Sequence, residues 1–167
     1  LDPEGVSMKG WFYYWRDLTN ARHMLDEHVI ELEESRRGRR QYPDRIEMFE
    51  CEIRALAALR DTAGVLNALE EAATLRGGGP EAHAQLARTA AGELWTHGAP
   101  AAARRAAERG LALLRRNRDP GGSSLRHIIT ESDLLWELDR LEEARAVVRD
   151  FAGDSTADVR LTGRLGA

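Results

Sequence analysis

The chain of 167 residues is long enough to bury a hydrophobic core without disulfides or metal ions, and its 43% hydrophobic and 31% charged content is typical of a folded, helix-rich protein. A formal net charge of -4 provides no overall attraction to nucleic acids or anionic membranes, so we expect neither as a partner. No apolar run approaches the roughly 20 residues of a membrane span, and the single cysteine, Cys51, cannot form an internal disulfide, which favours a cytoplasmic location.

Helical periodicity runs through the whole sequence, and no segment shows the period-two alternation of a strand. Breaks at 38–43, 77–80 and 119–124 divide the sequence into segments, each with a weaker break near its middle. One weaker break contains Pro100, and proline is tolerated in the first turn of a helix but not in its interior. The predicted helices are therefore 9–17, 20–36, 44–59, 62–75, 81–97, 100–116, 124–138 and 141–152.

Small residues recur near the start of the second helix of each predicted pair. If the weaker breaks are equivalent turns, the residues in register are Ala21, Gly64, Ala103 and Ala144. The segment from Gly98 to Ala103 reads Gly-x-x-x-x-Ala, and residues 134–144 and the Leu165-Gly166 pair fit the same repeat. In these features the chain resembles the tetratricopeptide (TPR) family of helical repeats, in an irregular, long-period bacterial form.

The resemblance implies an all-α fold. The expected architecture is an α-solenoid, a right-handed superhelix of about four antiparallel helix pairs, in which each pair buries its apolar face against its neighbours. The expected pairs are 9–36, 44–75, 81–116 and 124–152 of a single repeat domain, 1–167. Residues 155–167 match the start of a further helix, and the chain begins without methionine, so we expect a fragment of a longer protein.

The resemblance also implies a concave groove lined by the first helix of each pair, a surface that suits an extended or helical peptide. Eight residues before the register positions the sequence has Tyr13, Leu56, Trp95 and Trp136. With further positions carried over from the repeat, the expected partner-binding residues are Tyr13, Phe49, Ile53, Leu56, Arg88, Trp95, Arg126, Asp133 and Trp136. The alternative is that the rings only pack the first helix against its neighbours in the core.

Residues that could carry chemistry have simpler interpretations. The histidines form no HExxH pair, and His23 and His28 would be about 140° apart on one helix, so we expect no metal site. The glycines of 77–80 lack the spacing of a phosphate loop and predict a linker. The arginines of 36–40 predict a helix end capped at Gly38. We therefore expect no catalytic residue, no metal and no other cofactor.

The function predicted from these patterns is a protein–protein interaction scaffold, because no catalytic motif is present and the expected groove contains Trp and Arg, which often dominate binding energy. The alternative is a structural spacer or self-association module within a larger bacterial signalling or regulatory protein. Apolar surface at the open ends of a solenoid would promote a homodimer. Lys9 is the one lysine among 24 basic residues, a bias that indicates a GC-rich bacterial genome.

Overall fold

The structure, a computed structural model, describes residues 10–75, 77–117 and 124–154. Within these ranges the secondary structure is helical and no strand is present, so the predicted all-α class is confirmed. The helices are α1 Phe12–Met24, α2 His28–Gln41, α3 Ile46–Ala58, α4 Thr62–Ala72, α5 Gly79–Thr96, α6 Pro100–Arg116, α7 Leu125–Glu137 and α8 Leu141–Asp154. Of these helices, none combines the length and the apolar character needed to cross a membrane. The further helix expected at 155–167 lies outside the described residues.

From α3 onward the helices begin close to the predicted positions, each start lying within two residues of the prediction. The reasons are local. Asp61 caps α4, because its carboxylate accepts a hydrogen bond from the Gly64 N–H at 2.8 Å. Ser124 caps α7 in the same way, and Pro100 occupies the first turn of α6.

The first two helices differ from the prediction. The expected break at 17–20 is continuous helix, in which the Thr19 hydroxyl donates to the Arg16 carbonyl oxygen at 3.0 Å. The chain turns instead at Asp26, whose φ of 57° is left-handed. Aspartate adopts this conformation more readily than most residues, because its short polar side chain can hydrogen-bond locally. The predicted boundary between the first two helices is therefore wrong.

The turns that join α1 to α2, α3 to α4, α5 to α6 and α7 to α8 share one geometry. Each contains a residue with positive φ, namely Asp26 (57°), Arg60 (59°), Gly98 (78°) and Asp139 (60°). The next residue donates its N–H to the carbonyl oxygen five positions earlier, at 2.8 to 3.0 Å. This is the bond of a Schellman motif, which satisfies a carbonyl group left open at a helix C-terminus.

The shared turn geometry corrects the predicted register. Five residues after the turn residue stand Glu31, Val65, Ala103 and Ala144. Ala103 and Ala144 are buried, as their small-residue role predicts. Gly64 precedes the corrected position, Val65, by one residue, and Ala21 is an exposed residue of α1. Both of these register assignments are therefore wrong. In the first pair the position is held by Glu31, whose side chain is fully buried.

Neighbouring helices pack in a regular order within the described ranges. The two helices on either side of each turn contact each other, and α2, α4 and α6 each contact the helix that follows. The helices α1, α3, α5 and α7 also contact one another in succession. One apolar cluster extends from Phe49 to Ala144, and a smaller one, of Trp15, Met48 and Cys51, lies where α1 meets α3.

Gly38 is not the helix cap that the basic segment 36–40 predicts. The helix α2 continues to Gln41, and Gly38 is buried in its last turns. A Cβ at this position would lie 2.8 Å from Met48 Sδ and 3.0 Å from Trp15 Cβ. Glycine is favoured here, because a side chain would force Met48 to move and would crowd Trp15.

Candidate functional site

Among the apolar residues predicted to bind a partner, Trp95 and Trp136 are the most exposed. Their exposed fractions are 51% and 65%. Each precedes the positive-φ residue of its turn by three positions, Trp95 at the end of α5 and Trp136 at the end of α7. Because α5 and α7 contact each other and the two positions are equivalent, the indoles belong to one surface.

Polar residues of the predicted set accompany these tryptophans. Arg88 of α5 forms an ion pair with Asp133 of α7, with Nη1 3.5 Å from Oδ2, and both side chains are partly exposed. Arg126, near the start of α7, is exposed. We call these five residues, Arg88, Trp95, Arg126, Asp133 and Trp136, the tryptophan surface.

Three other predicted groove residues belong to the core. Phe49, Ile53 and Leu56 have exposed fractions of 1%, 0% and 2%, so they cannot contact a partner, and the prediction is wrong for them. The register assigned to α3 was one residue early. One residue corresponds to about 100° round a helix, so this error moves the assigned positions off the face of α3 that is equivalent to the tryptophan surface. The corrected equivalent of Trp95 is Ala57, which is also buried.

Tyr13 is exposed but does not align with the tryptophans. Its ring lies 4.9 Å from that of Phe12 and 5.3 Å from that of Trp11, and the Arg16 guanidinium lies 4.7 Å from its centroid. The corrected turn places His23, not Tyr13, at the position of α1 equivalent to Trp95. The predicted aromatic stripe therefore does not extend to Tyr13.

His23 belongs to a cluster of histidines from different helices. His23 lies in the last turn of α1, His28 begins α2 and His97 caps the C-terminus of α5. Their ring centroids are 5.1 Å (His23 to His28), 6.1 Å (His23 to His97) and 5.7 Å (His28 to His97) apart. His23 and His28 therefore do not share the predicted helix 20–36, because the turn at Asp26 separates α1 from α2.

The buried carboxylate of Glu31 lies behind this cluster. His23 Nδ1 is 2.9 Å and His28 Nδ1 is 3.2 Å from Glu31 Oε2. Arg54 Nη2 donates to Glu31 Oε1 at 3.2 Å, and Arg54 Nη1 donates to Asn20 Oδ1 at 3.1 Å. Burying a carboxylate costs free energy unless it has an oppositely charged partner and hydrogen bonds, and Arg54 provides both.

A second carboxylate lies on the solvent side of the histidines. Glu93 Oε2 is 3.8 Å from His23 Nε2 and 3.7 Å from His97 Nε2. Two trios in the described ranges have nitrogen and oxygen atoms close enough to share a metal ion, His23 with Glu93 and His97, and His23 with His28 and Glu31. In each trio the atoms lie within 4.8 Å of one another.

Two further buried glutamates join successive helix pairs. Glu52 of α3 accepts from Arg36 of α2 at 3.1 Å, and Glu131 of α7 accepts from Arg115 of α6 at 3.0 Å. Burial alone lowers the pKa of the Arg115 guanidinium, but its hydrogen bonds to Glu131 and Glu143 outweigh this effect and raise the pKa above its usual value. These arginines have structural partners in the protein, so they are not free to recruit an anion.

Cys51 is not a candidate nucleophile. Its side chain is 3% exposed, and burial raises the pKa of its thiol. The reactive form of cysteine is the thiolate, which a raised pKa disfavours. The buried Cys51 side chain instead packs in the small cluster between α1 and α3.

The histidine cluster was missed because the first turn was misplaced, although the sequence contains a signal for that turn. Leu25-Asp26 repeats the residues of Leu138-Asp139, where the aspartate is also the turn residue. Nothing in the spacing of His97 from the other histidines indicates that they meet. No family model, curated protein or solved structure matches the chain, so the comparisons assign it to no family.

Proposed function

We propose that the chain is an α-solenoid, a right-handed superhelix of antiparallel TPR-like helix pairs, and that it binds a peptide or partner domain along its first helices. The order of the helix contacts supports the solenoid, because repeat proteins bury apolar surface against adjacent units only. The turn residues recur at spacings of 34, 38 and 41. The shortest of these equals the period of the tetratricopeptide repeat.

The observation that carries the binding function is the pair of exposed indoles at equivalent positions, Trp95 and Trp136. A tryptophan that served only to pack a helix would be largely buried, because its ring offers a large apolar area. Tryptophan is enriched among the residues that dominate interface energies, together with arginine. Both types are present on the tryptophan surface.

The chemistry of this surface defines a fitting partner. Two indoles on adjacent helices accept two apolar side chains, and the exposed Arg126 favours an acidic group near the start of α7. The ion pair between Arg88 and Asp133 offers a donor and an acceptor between the helices. We therefore expect an extended or helical peptide with two apolar anchors and one acidic residue, and the proposed function includes no catalysis.

The test is selection of peptides from a library on the wild-type chain, followed by affinity measurement with the double variant Trp95→Ala/Trp136→Ala. We expect binding to weaken by at least about 30-fold, which corresponds to the loss of about 2 kcal/mol typical of an interface hot spot. The matched control is Trp11→Ala, since Trp11 is also 51% exposed but precedes α1. Peptides that bind the double variant as tightly as the wild type would contradict the proposal.

Self-association is a second candidate function, favoured by one observation. Three apolar side chains next to the turn between α1 and α2 are exposed to solvent. Their exposed fractions are 76% for Met24, 65% for Leu25 and 62% for Val29. Contiguous exposed apolar surface is typical of an interaction site. If this patch forms a homodimer, light scattering will give the mass of a dimer for the wild type and of a monomer for Met24→Lys/Val29→Lys.

A further inference from the structure

We propose that His23, Glu93 and His97 bind one divalent transition-metal ion of the zinc class. Two imidazole nitrogens and one carboxylate oxygen are a ligand set that zinc accepts in proteins. The proposal does not depend on the tryptophan surface, because none of its ligands belongs to that surface.

The ligand atoms are already near the separation that coordination requires. Glu93 Oε2 lies 3.8 Å from His23 Nε2 and 3.7 Å from His97 Nε2. Atoms about 2.1 Å from a tetrahedral ion are separated by about 3.4 Å. Shifts of a few tenths of an ångström therefore bring Glu93 to the required distance from both histidines, and all three ligand atoms already lie within 4.8 Å of one another.

The surroundings of His23 orient it as a metal ligand. Its Nδ1 lies 2.9 Å from Glu31 Oε2, so a proton on Nδ1 is held by the carboxylate and the lone pair of Nε2 faces Glu93. A histidine ligand commonly donates its other ring N–H to a carboxylate, which fixes the tautomer. Arg54 holds Glu31 in place from the opposite side at 3.2 Å.

Burial decides between the two trios. Glu31 has no exposed surface and is already bonded to Arg54, so the trio of His23, His28 and Glu31 is occupied by internal hydrogen bonds. The side chains of His23, Glu93 and His97 are 19%, 23% and 24% exposed, which gives an ion access from solvent. Three protein ligands leave a fourth position for water.

The ion would join α1 to α5, which are separated along the chain by α2, α3 and α4. His23 replaces the tryptophan found at the equivalent positions of α5 and α7. Metal binding in the folded state only would raise the melting temperature. Zinc is thus expected to stabilise the polar contact between the first and the third helix pair, which we call the polar junction.

The test is calorimetric titration of the full 167-residue chain with Zn²⁺, together with absorption spectra of the Co²⁺ form. We expect one ion per chain and visible Co²⁺ bands typical of low coordination number. His97→Gln and Glu93→Gln should each weaken Zn²⁺ binding by at least about tenfold, and Glu31→Gln by about 10–100-fold as a residue that orients a ligand. His83→Gln is the matched control, because His83 also lies in α5 but belongs to neither trio.

Folding is checked by circular dichroism, and His97→Gln remains informative if Glu31→Gln unfolds, because His97 is partly exposed at a helix end. The proposal is overturned if the wild type shows no saturable binding of Zn²⁺ or Co²⁺. It is also overturned if His97→Gln and Glu93→Gln bind as tightly as the wild type, or if His83→Gln loses as much affinity as they do. The variant Trp95→Ala/Trp136→Ala should retain full metal affinity, which separates this test from that of the tryptophan surface.

Discussion

Glu31 is the residue at which the first helix pair differs most from the others. Its equivalents are Val65, Ala103 and Ala144, all buried and apolar. Arg22 is a second polar residue of this kind, because the later pairs have a buried leucine at the equivalent position. At these two positions the first hairpin therefore has ion pairs and hydrogen bonds, whereas the later hairpins have apolar packing. A buried carboxylate in such a place is stable only while its partners remain.

Single glycines test how closely the helices approach. A Cβ on Gly110 of α6 would lie 2.9 Å from Ala87 Cβ and 3.1 Å from Leu134, whereas a Cβ on Gly92 of α5 would meet nothing within 4 Å. We expect Gly110→Ala to lower the free energy of unfolding by about 1–3 kcal/mol through overpacking. Gly92→Ala should raise it by about 0.5–1 kcal/mol, because alanine favours helix over glycine. Urea denaturation measures both, and equal effects of the two variants would show that α6 does not pack this closely.

At the scale of elements, the shared turn explains why the later helices could be predicted and the first two could not. Gly98 and Pro100 mark their turn by composition, and Asp61 marks its helix by capping. The first turn has neither glycine nor proline and relies on Asp26 in the left-handed region. The weaker polar signal at 17–20 resembled a break, but those residues form a continuous turn of helix.

Two glycine substitutions distinguish the predicted from the observed turn. Asp17→Gly should lower the free energy of unfolding by about 0.3 kcal/mol, because Asp17 is inside α1 and glycine is less favourable in a helix than aspartate. Asp26→Gly should leave it unchanged or raise it, because Asp26 has φ of 57° and glycine adopts this conformation without strain. Thermal melts followed by circular dichroism measure the difference. The reverse order of stabilities would place the turn where the sequence predicted it.

At the scale of the whole molecule, burial is unevenly distributed along the helices. The buried residues of α5 are all apolar, namely Ala84, Leu86, Ala87, Ala90, Ala91 and Leu94. The buried residues of α1 are Trp15 and Thr19, and those of α2 are Glu31, Ser35 and Gly38. A helix with fewer buried apolar contacts opens locally at lower free energy than one at the centre of the core.

Hydrogen exchange measures this difference. We expect the amides of α1 and α2 to exchange faster than those of α5 once the rates are corrected for sequence, because α5 lies in the apolar cluster and contacts helices on several sides. Mass spectrometry of peptic fragments resolves the three helices. Equal protection of α1 and α5 would show that the polar junction around Glu31 is as stable as the apolar core.

The sequence by itself determined the all-α class and the helices from α3 onward, because periodicity, caps, glycine and proline act over a few residues. It also determined that Ala103 and Ala144 occupy small, buried positions. Only the tertiary structure decided which faces are buried, and it placed Phe49, Ile53 and Leu56 in the core although the sequence predicted them for the groove. It also brought His97 to His23, because side chains on helices distant in sequence meet only through packing.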